Sequence, residues 1–233
     1  MVKNVENYFK FTVVFLVFLL LAFDRDLGMI YLLMMFADWI WYQTDNFVSF
    51  PMKRSNLSSA QVYLEGLAAV GVFLLVSTLL ISSFSPQSIA QGNVFLQAQS
   101  IFQLLSASVP ILQGSLLLTF IGWAVVIPII ETSFFFGRLL EGFSTYAENV
   151  VRGKISLKDY SIPLFIIILL VSALFALFHI TAKGLESIPL LITFIFAVIS
   201  CILVIRHQEL RGAIFMHIVV NAAAVLSSMG VLR

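Results

Sequence analysis

The sequence predicts an all-α fold, a polytopic bundle of about seven transmembrane helices. Three observations lead there. Hydrophobic residues make up 61% of the 233-residue chain, against about 45–50% in a soluble domain. Charged residues are only 11%, against about 25%, and mean hydropathy is +1.04. The apolar residues fall in runs near the ~20 needed to cross a bilayer, parted by charged or turn-rich breaks. No soluble fold of this length hides so much apolar surface.

The first run, 8–23, follows Lys3 and Lys10 and has the outline of a signal peptide. It lacks a small-residue cleavage site and further runs follow, so it reads as a retained first helix. After Asp24-Arg25-Asp26 comes a second span, 28–48, with Asp38 beside Trp39 and Trp41. A third, 61–84, follows the loop around Pro51-Met-Lys-Arg54 and carries Glu65 near its start, close enough to the interface to be solvated. Asp38 and Glu65 both read as structural carboxylates. Within the neutral stretch from Ser85 to Pro110, Val94–Ser108 is weakly amphipathic and reads as a surface or re-entrant helix rather than an eighth span.

The fourth span, 111–136, has no Asp, Glu, Lys or Arg from Ile111 to Ile130 and then meets Glu131. A charged segment from Arg138 to Asp159 follows, then spans 162–182, 187–205 and 212–231, separated by Lys183–Glu186 and Arg206–Arg211. Residues 1–110 thus read as N-terminal membrane helices and 111–233 as the helical core, together one integral membrane domain. No internal repeat, low-complexity tract or soluble second domain interrupts it, and the missing inverted repeat gives no support to a transporter.

Seven spans sort the basic residues unevenly. Lys3, Lys10, Lys53, Arg54, Arg138, Arg152, Lys154, Lys158, Arg206 and Arg211 share one side, and Arg25, Lys183 and Arg233 the other. Lys and Arg collect on the cytoplasmic side, so the N-terminus is expected there and the C-terminus outside. A formal net charge of +1 offers no argument for nucleic acid, and none is expected as a partner. The single cysteine, Cys201, lies in an apolar span and supports neither an intrachain disulfide nor a thiolate metal site.

The polar residues inside the spans carry the functional signal. An ionisable group in hydrocarbon costs at least ~2.5–3.5 kcal/mol, so such residues are rare and mark candidate functional sites. Glu131 is one. Phe175-Ala-Leu-Phe-His179 and His217-Ile-Val-Val-Asn221 supply its possible partners. Residues i and i+4 share a helical face, so His217 and Asn221 point the same way, and Phe175 sits one turn below His179. Any one of them alone is more often an interhelical hydrogen-bonding residue. Together, a carboxylate and a histidine can activate water as general bases, while a second histidine and an amide can hydrogen-bond a developing oxyanion. The same Glu131, His179 and His217 can instead ligate zinc, whose catalytic sites use three such ligands plus water.

In order and membrane setting, these three segments resemble the motifs of the CPBP family of intramembrane proteases, which includes CAAX prenyl endoproteases and bacteriocin-processing or self-immunity proteins. That family carries EExxxR, then FxxxH, then HxxxN or HxxxD. Phe175–His179 matches the second motif and His217–Asn221 the third, while Ile127-Pro-Ile-Ile-Glu131 resembles the run into the first. The resemblance covers roughly 115–225. It implies a CPBP-protease-like bundle in which Glu131 and His179 activate the attacking water and His217 and Asn221 form the oxyanion hole. No cofactor is implied, and the residues themselves leave zinc at Glu131, His179 and His217 open. The expected activity is endoproteolysis of a membrane-associated or lipidated peptide in the cell membrane of a prokaryote. The alternative is a non-proteolytic relative that binds a membrane partner as an immunity factor or scaffold.

The first motif departs from the family pattern: its second Glu is Thr132 and its Arg is Phe136. Losing one partner of a buried ion pair costs about 3–5 kcal/mol, whereas replacing both by less polar groups can be neutral. Arg138 lies near the face of Glu131 and reads as a snorkelling interfacial residue. Straight helices also present a depth problem. At 1.5 Å per residue, Asn221 lies ~15 Å from Arg211, but His179 only ~6 Å from Lys183, at opposite sides of the membrane. The groups meet only if helices tilt, if the fifth span stops short, or if the fourth helix runs past Arg138.

Overall fold

A computed structural model of the chain describes residues 58–84, 101, 117, 120–140, 161–179, 187–207 and 209–229. The expected spans 8–23 and 28–48, with Asp38, lie outside these residues, as does 94–108 apart from the buried helical residue Ile101. Among the described residues there is no strand, and five helical rods form the bundle.

Helix α1 (Ser59–Phe84, 26 residues) replaces the expected 61–84. Its start is a capping box: the Ser58 N–H donates to Gln61 Oε1 at 2.9 Å and the Gln61 N–H to Ser58 Oγ at 3.3 Å. One stripe (Val62, Ala69, Val70, Phe73, Ser77) is buried, while Leu64, Leu67, Leu75 and Leu79 face outward, as lipid contact requires.

The next rod, α2, joins three stretches: Ile121–Val126 with π winding, Ile127–Glu131 with α winding, and Thr132–Leu139 with π winding again. It runs past the expected end at 136. Pro128 explains the first irregularity, because a proline inside a helix has no N–H to give and its ring crowds the preceding turn. The Ile127 N–H reaches back five residues to the Gly122 carbonyl.

Helix α3 (Ser161–Phe178) ends four residues short of the expected 182, and His179 occupies a turn. Here the His179 N–H bonds the Ala176 carbonyl at 3.1 Å, a tightened last turn. Helix α4 (Ser187–His207) runs two residues beyond the expected 205, and α5 (Arg211–Ser228) ends before the expected 231. Ser59–Ser83, Ile188–His207 and Arg211–Ser228 are long and apolar enough to cross a membrane, and Ile121–Gly137 and Leu164–Phe178 are shorter apolar helices.

Helix α3 packs along α4, and α1 packs across α4 and α5, while α5 also packs on α2. Small residues permit the closest approach. A Cβ on Gly66 would lie 2.8 Å from the Gly212 carbonyl oxygen, so α1 rests directly on the first turn of α5. Beside this contact, Arg206 donates to both Glu65 oxygens at 2.7 and 3.1 Å, and His207 Nε2 lies 2.8 Å from Glu65 Oε2. Arg211 in turn bonds Glu209 and Ser59. Glu65 therefore ties α1 to the end of α4. Arg206 and Arg211 gather at the end where α1 and α5 begin and α4 finishes, which agrees with the alternation of these three spans.

Candidate active site

Three rods bring Glu131, His179 and His217 together. Glu131 closes the α-wound stretch of α2 and is 2% exposed. Its Oε2 lies 3.7 Å from His179 Nε2 and 3.6 Å from His217 Nε2, so two imidazoles converge on one carboxylate oxygen. Both separations exceed a direct hydrogen bond and suit a water that bonds to both sides.

The depth problem is solved by where α3 stops. Because the helix ends at Phe178, the Phe175 carbonyl has no helical donor to wait for, and His179 Nδ1 lies 2.8 Å from it. A carbonyl only accepts, so Nδ1 carries a hydrogen, and Nε2 is the nitrogen that faces Glu131. His217 sits two turns into α5, ~9 Å from Arg211. Its Nδ1 lies 3.0 Å from Thr132 Oγ1.

Asn221, one turn beyond His217, is placed by Pro128. By the five-residue pattern of the π stretch, the Trp123 carbonyl would accept from the N–H of residue 128, and proline has none. Asn221 Nδ2 supplies the donor at 3.1 Å. An amide nitrogen carries two hydrogens, so one remains beyond this bond. Asn221, His179 and His217 line a common pocket with Thr193, Val220, Phe73, Phe175 and Phe196. Its cavity volume of about 30 Å³ exceeds the roughly 10–15 Å³ that one water requires.

Phe175 is the packing hub. Its ring lies 4.5 Å from that of His179, 5.0 Å from Phe136, 5.2 Å from Phe135 and 6.0 Å from Phe196 and His217. Phe136, which stands where the motif has Arg, is fully buried against Phe175. The two departures from EExxxR thus have separate fates, one as aromatic core and the other as a partner of His217. The side chain of Arg138 lies outside the described residues.

Sequence reasoning missed three contributors: Phe73, Thr132 as a partner rather than a loss, and the Trp123 carbonyl. Pro128, three residues before Glu131 in an otherwise apolar span, was the available signal for the last. Among the described residues no group of three His, Cys, Asp or Glu side chains is arranged to hold a metal ion.

Residues 113–223 match a family model described as type II CAAX prenyl endopeptidase Rce1-like. The match begins upstream of α2 and ends just past Asn221, so it contains Glu131, His179, His217 and Asn221. No curated protein and no solved structure matches the chain. With the motifs in order on three packed rods, residues 113–223 are similar to the Rce1-like proteins, and that likeness and three helices long and apolar enough to cross a bilayer fit an integral membrane protein.

Proposed function

We propose that the chain is an intramembrane endopeptidase that hydrolyses a peptide bond of a membrane-associated or lipidated peptide. The Rce1-like match supports a CAAX-type intramembrane protease kind of function. The observation that carries the finer reading is the convergence of both histidine Nε2 atoms on Glu131 Oε2 at 3.6 and 3.7 Å. A water between Glu131 and His179 donates one hydrogen to each, which turns its lone pair outward. As its oxygen attacks the scissile carbonyl carbon, Glu131 accepts one proton and the carbonyl π pair moves onto oxygen. His217 and Asn221 donate hydrogen bonds to that oxyanion. On collapse the C–N bond breaks and the departing nitrogen recovers a proton from the Glu131–His179 pair. Proton transfer by a positioned group contributes typically 10²–10⁴-fold, and one oxyanion donor about 10²–10³-fold.

The reading uses no metal and places the N-terminus on the cytoplasmic side of a prokaryotic cell membrane. It is tested with purified protein in nanodiscs and quenched-fluorescence peptides, farnesylated and unmodified. Cleavage that His179→Ala lowers by at least ~10²-fold, and that chelators leave intact, supports it. Cleavage that is indifferent to His179 sinks it.

A second reading, a non-proteolytic binding partner, draws on the loss of the Glu and Arg of the first motif at Thr132 and Phe136. Complementation of a deletion strain by a chain altered at Glu131, His179, His217 and Asn221 together would favour it.

A further inference from the structure

We propose that Thr132 is a positioning residue that holds the proton of His217 on Nε2, so that the neutral ring can donate to an oxyanion. The inference rests on the proteolytic reading for its consequence, but its chemistry stands on the site itself.

The two site histidines are tied by different partners. His179 Nδ1 meets the Phe175 carbonyl at 2.8 Å, and a carbonyl fixes the hydrogen on Nδ1. His217 Nδ1 meets the Thr132 hydroxyl at 3.0 Å, and a hydroxyl either donates or accepts. What decides is the other end of the ring. His217 Nε2 lies 3.6 Å from Glu131 Oε2, in a site where Glu131, Thr132 and His217 are all buried. At either ring an N–H aimed at the carboxylate is attracted and a lone pair repelled, and low dielectric enlarges the difference. On His179 the acceptor-only Phe175 carbonyl at 2.8 Å outweighs this and keeps the hydrogen on Nδ1, whereas the Thr132 hydroxyl of His217 can yield to it. The hydroxyl therefore turns to donate to Nδ1, and the proton stays on Nε2.

A carboxylate at this position, as in EExxxR, lacks that freedom. Ionised, it only accepts, so it draws the hydrogen to Nδ1 and leaves Nε2 without a proton unless the ring is charged. Thr132 is thus more than a lost acid. It gives this chain two neutral histidines of opposite tautomer, His179 as acceptor and His217 as donor, around one carboxylate.

The chain has three histidines, so its ¹⁵N-histidine spectrum in bilayers can be assigned by single replacements, starting with His207→Gln. At neutral pH, His179 is expected to carry its hydrogen on Nδ1 and His217 on Nε2. Thr132→Val keeps the shape, removes the hydroxyl and should release the His217 preference into mixed tautomers. Thr132→Ser should retain it. In the peptide assay Thr132→Val should lower kcat by up to roughly 10²-fold, no more than the loss of one oxyanion donor outright, with KM unchanged, and Thr132→Ser should recover most of the loss. A wild-type His217 protonated on Nδ1, or a tautomer indifferent to Thr132→Val, overturns the inference. Absence of cleavage with the tautomers as expected counts against the proteolytic reading alone.

Discussion

The bond between Asn221 and the Trp123 carbonyl offers a sharp test, because its strength should depend on a proline that neither residue touches in sequence. Asn221→Leu removes the donor that sits 3.1 Å from this carbonyl. A buried acceptor left without a partner costs ~1–3 kcal/mol, whereas polar contacts between membrane helices average ~0.6 and reach ~1.7 kcal/mol. Asn221 is half-buried and lines a pocket with room for water, which favours the overlap of the two ranges, ~1–1.7 kcal/mol. Pro128→Ala restores an N–H that either helical register delivers to this part of α2, directly to Trp123 or by freeing the Ile127 N–H. In that background Asn221→Leu should lose most of its effect. Thermal unfolding of the four proteins in one detergent measures the cycle, at ~2–4 °C per kcal/mol for a chain of this size. Additivity within ~0.3–0.5 kcal/mol, the error for uncoupled sites, would refute the idea that Pro128 creates the vacancy Asn221 fills.

Further predictions concern packing. Gly66→Ala places a methyl 2.8 Å from the Gly212 carbonyl oxygen and should cost ~1–3 kcal/mol through overpacking. Gly71→Ala, with nothing within 4 Å, should be neutral or stabilise by up to ~1 kcal/mol, and equal melting shifts for the two would count against the α1–α5 contact. Phe175→Ala should cost ~3–5 kcal/mol and slow cleavage, since the ring packs on His179 and His217 at once. A variant that melts at the wild-type temperature would remove Phe175 from its place as hub.

Much of this architecture was legible in the sequence, for a physical reason. A membrane span must be long, apolar and helical, so α1, α4 and α5 are visible as runs, and the charges between them mark their ends. The Glu131, His179, His217 and Asn221 set stood out because ionisable and amide groups are costly in hydrocarbon. What stayed hidden depends on tertiary partners. The apolar run continues past Phe178, so nothing local announces that α3 stops there and gives the Phe175 carbonyl to His179. The π winding of α2 follows from Pro128 only once a neighbouring Asn is present to satisfy Trp123. Glu65 reads as a solvated interfacial acid, yet it is held by Arg206 and His207, more than a hundred residues away. Thr132 looks like a loss from the motif until α5 brings His217 to within 3.0 Å of it.

The central claim is that Glu131 activates the water that cleaves the peptide bond. It is tested most directly by following cleavage in H₂¹⁸O by mass spectrometry, with wild-type chain and with Glu131→Gln, which preserves shape and removes the base. The account predicts one ¹⁸O in the new carboxylate of the wild-type product and at least ~10²-fold less product from Glu131→Gln. Wild-type rates and labelling from Glu131→Gln would contradict it.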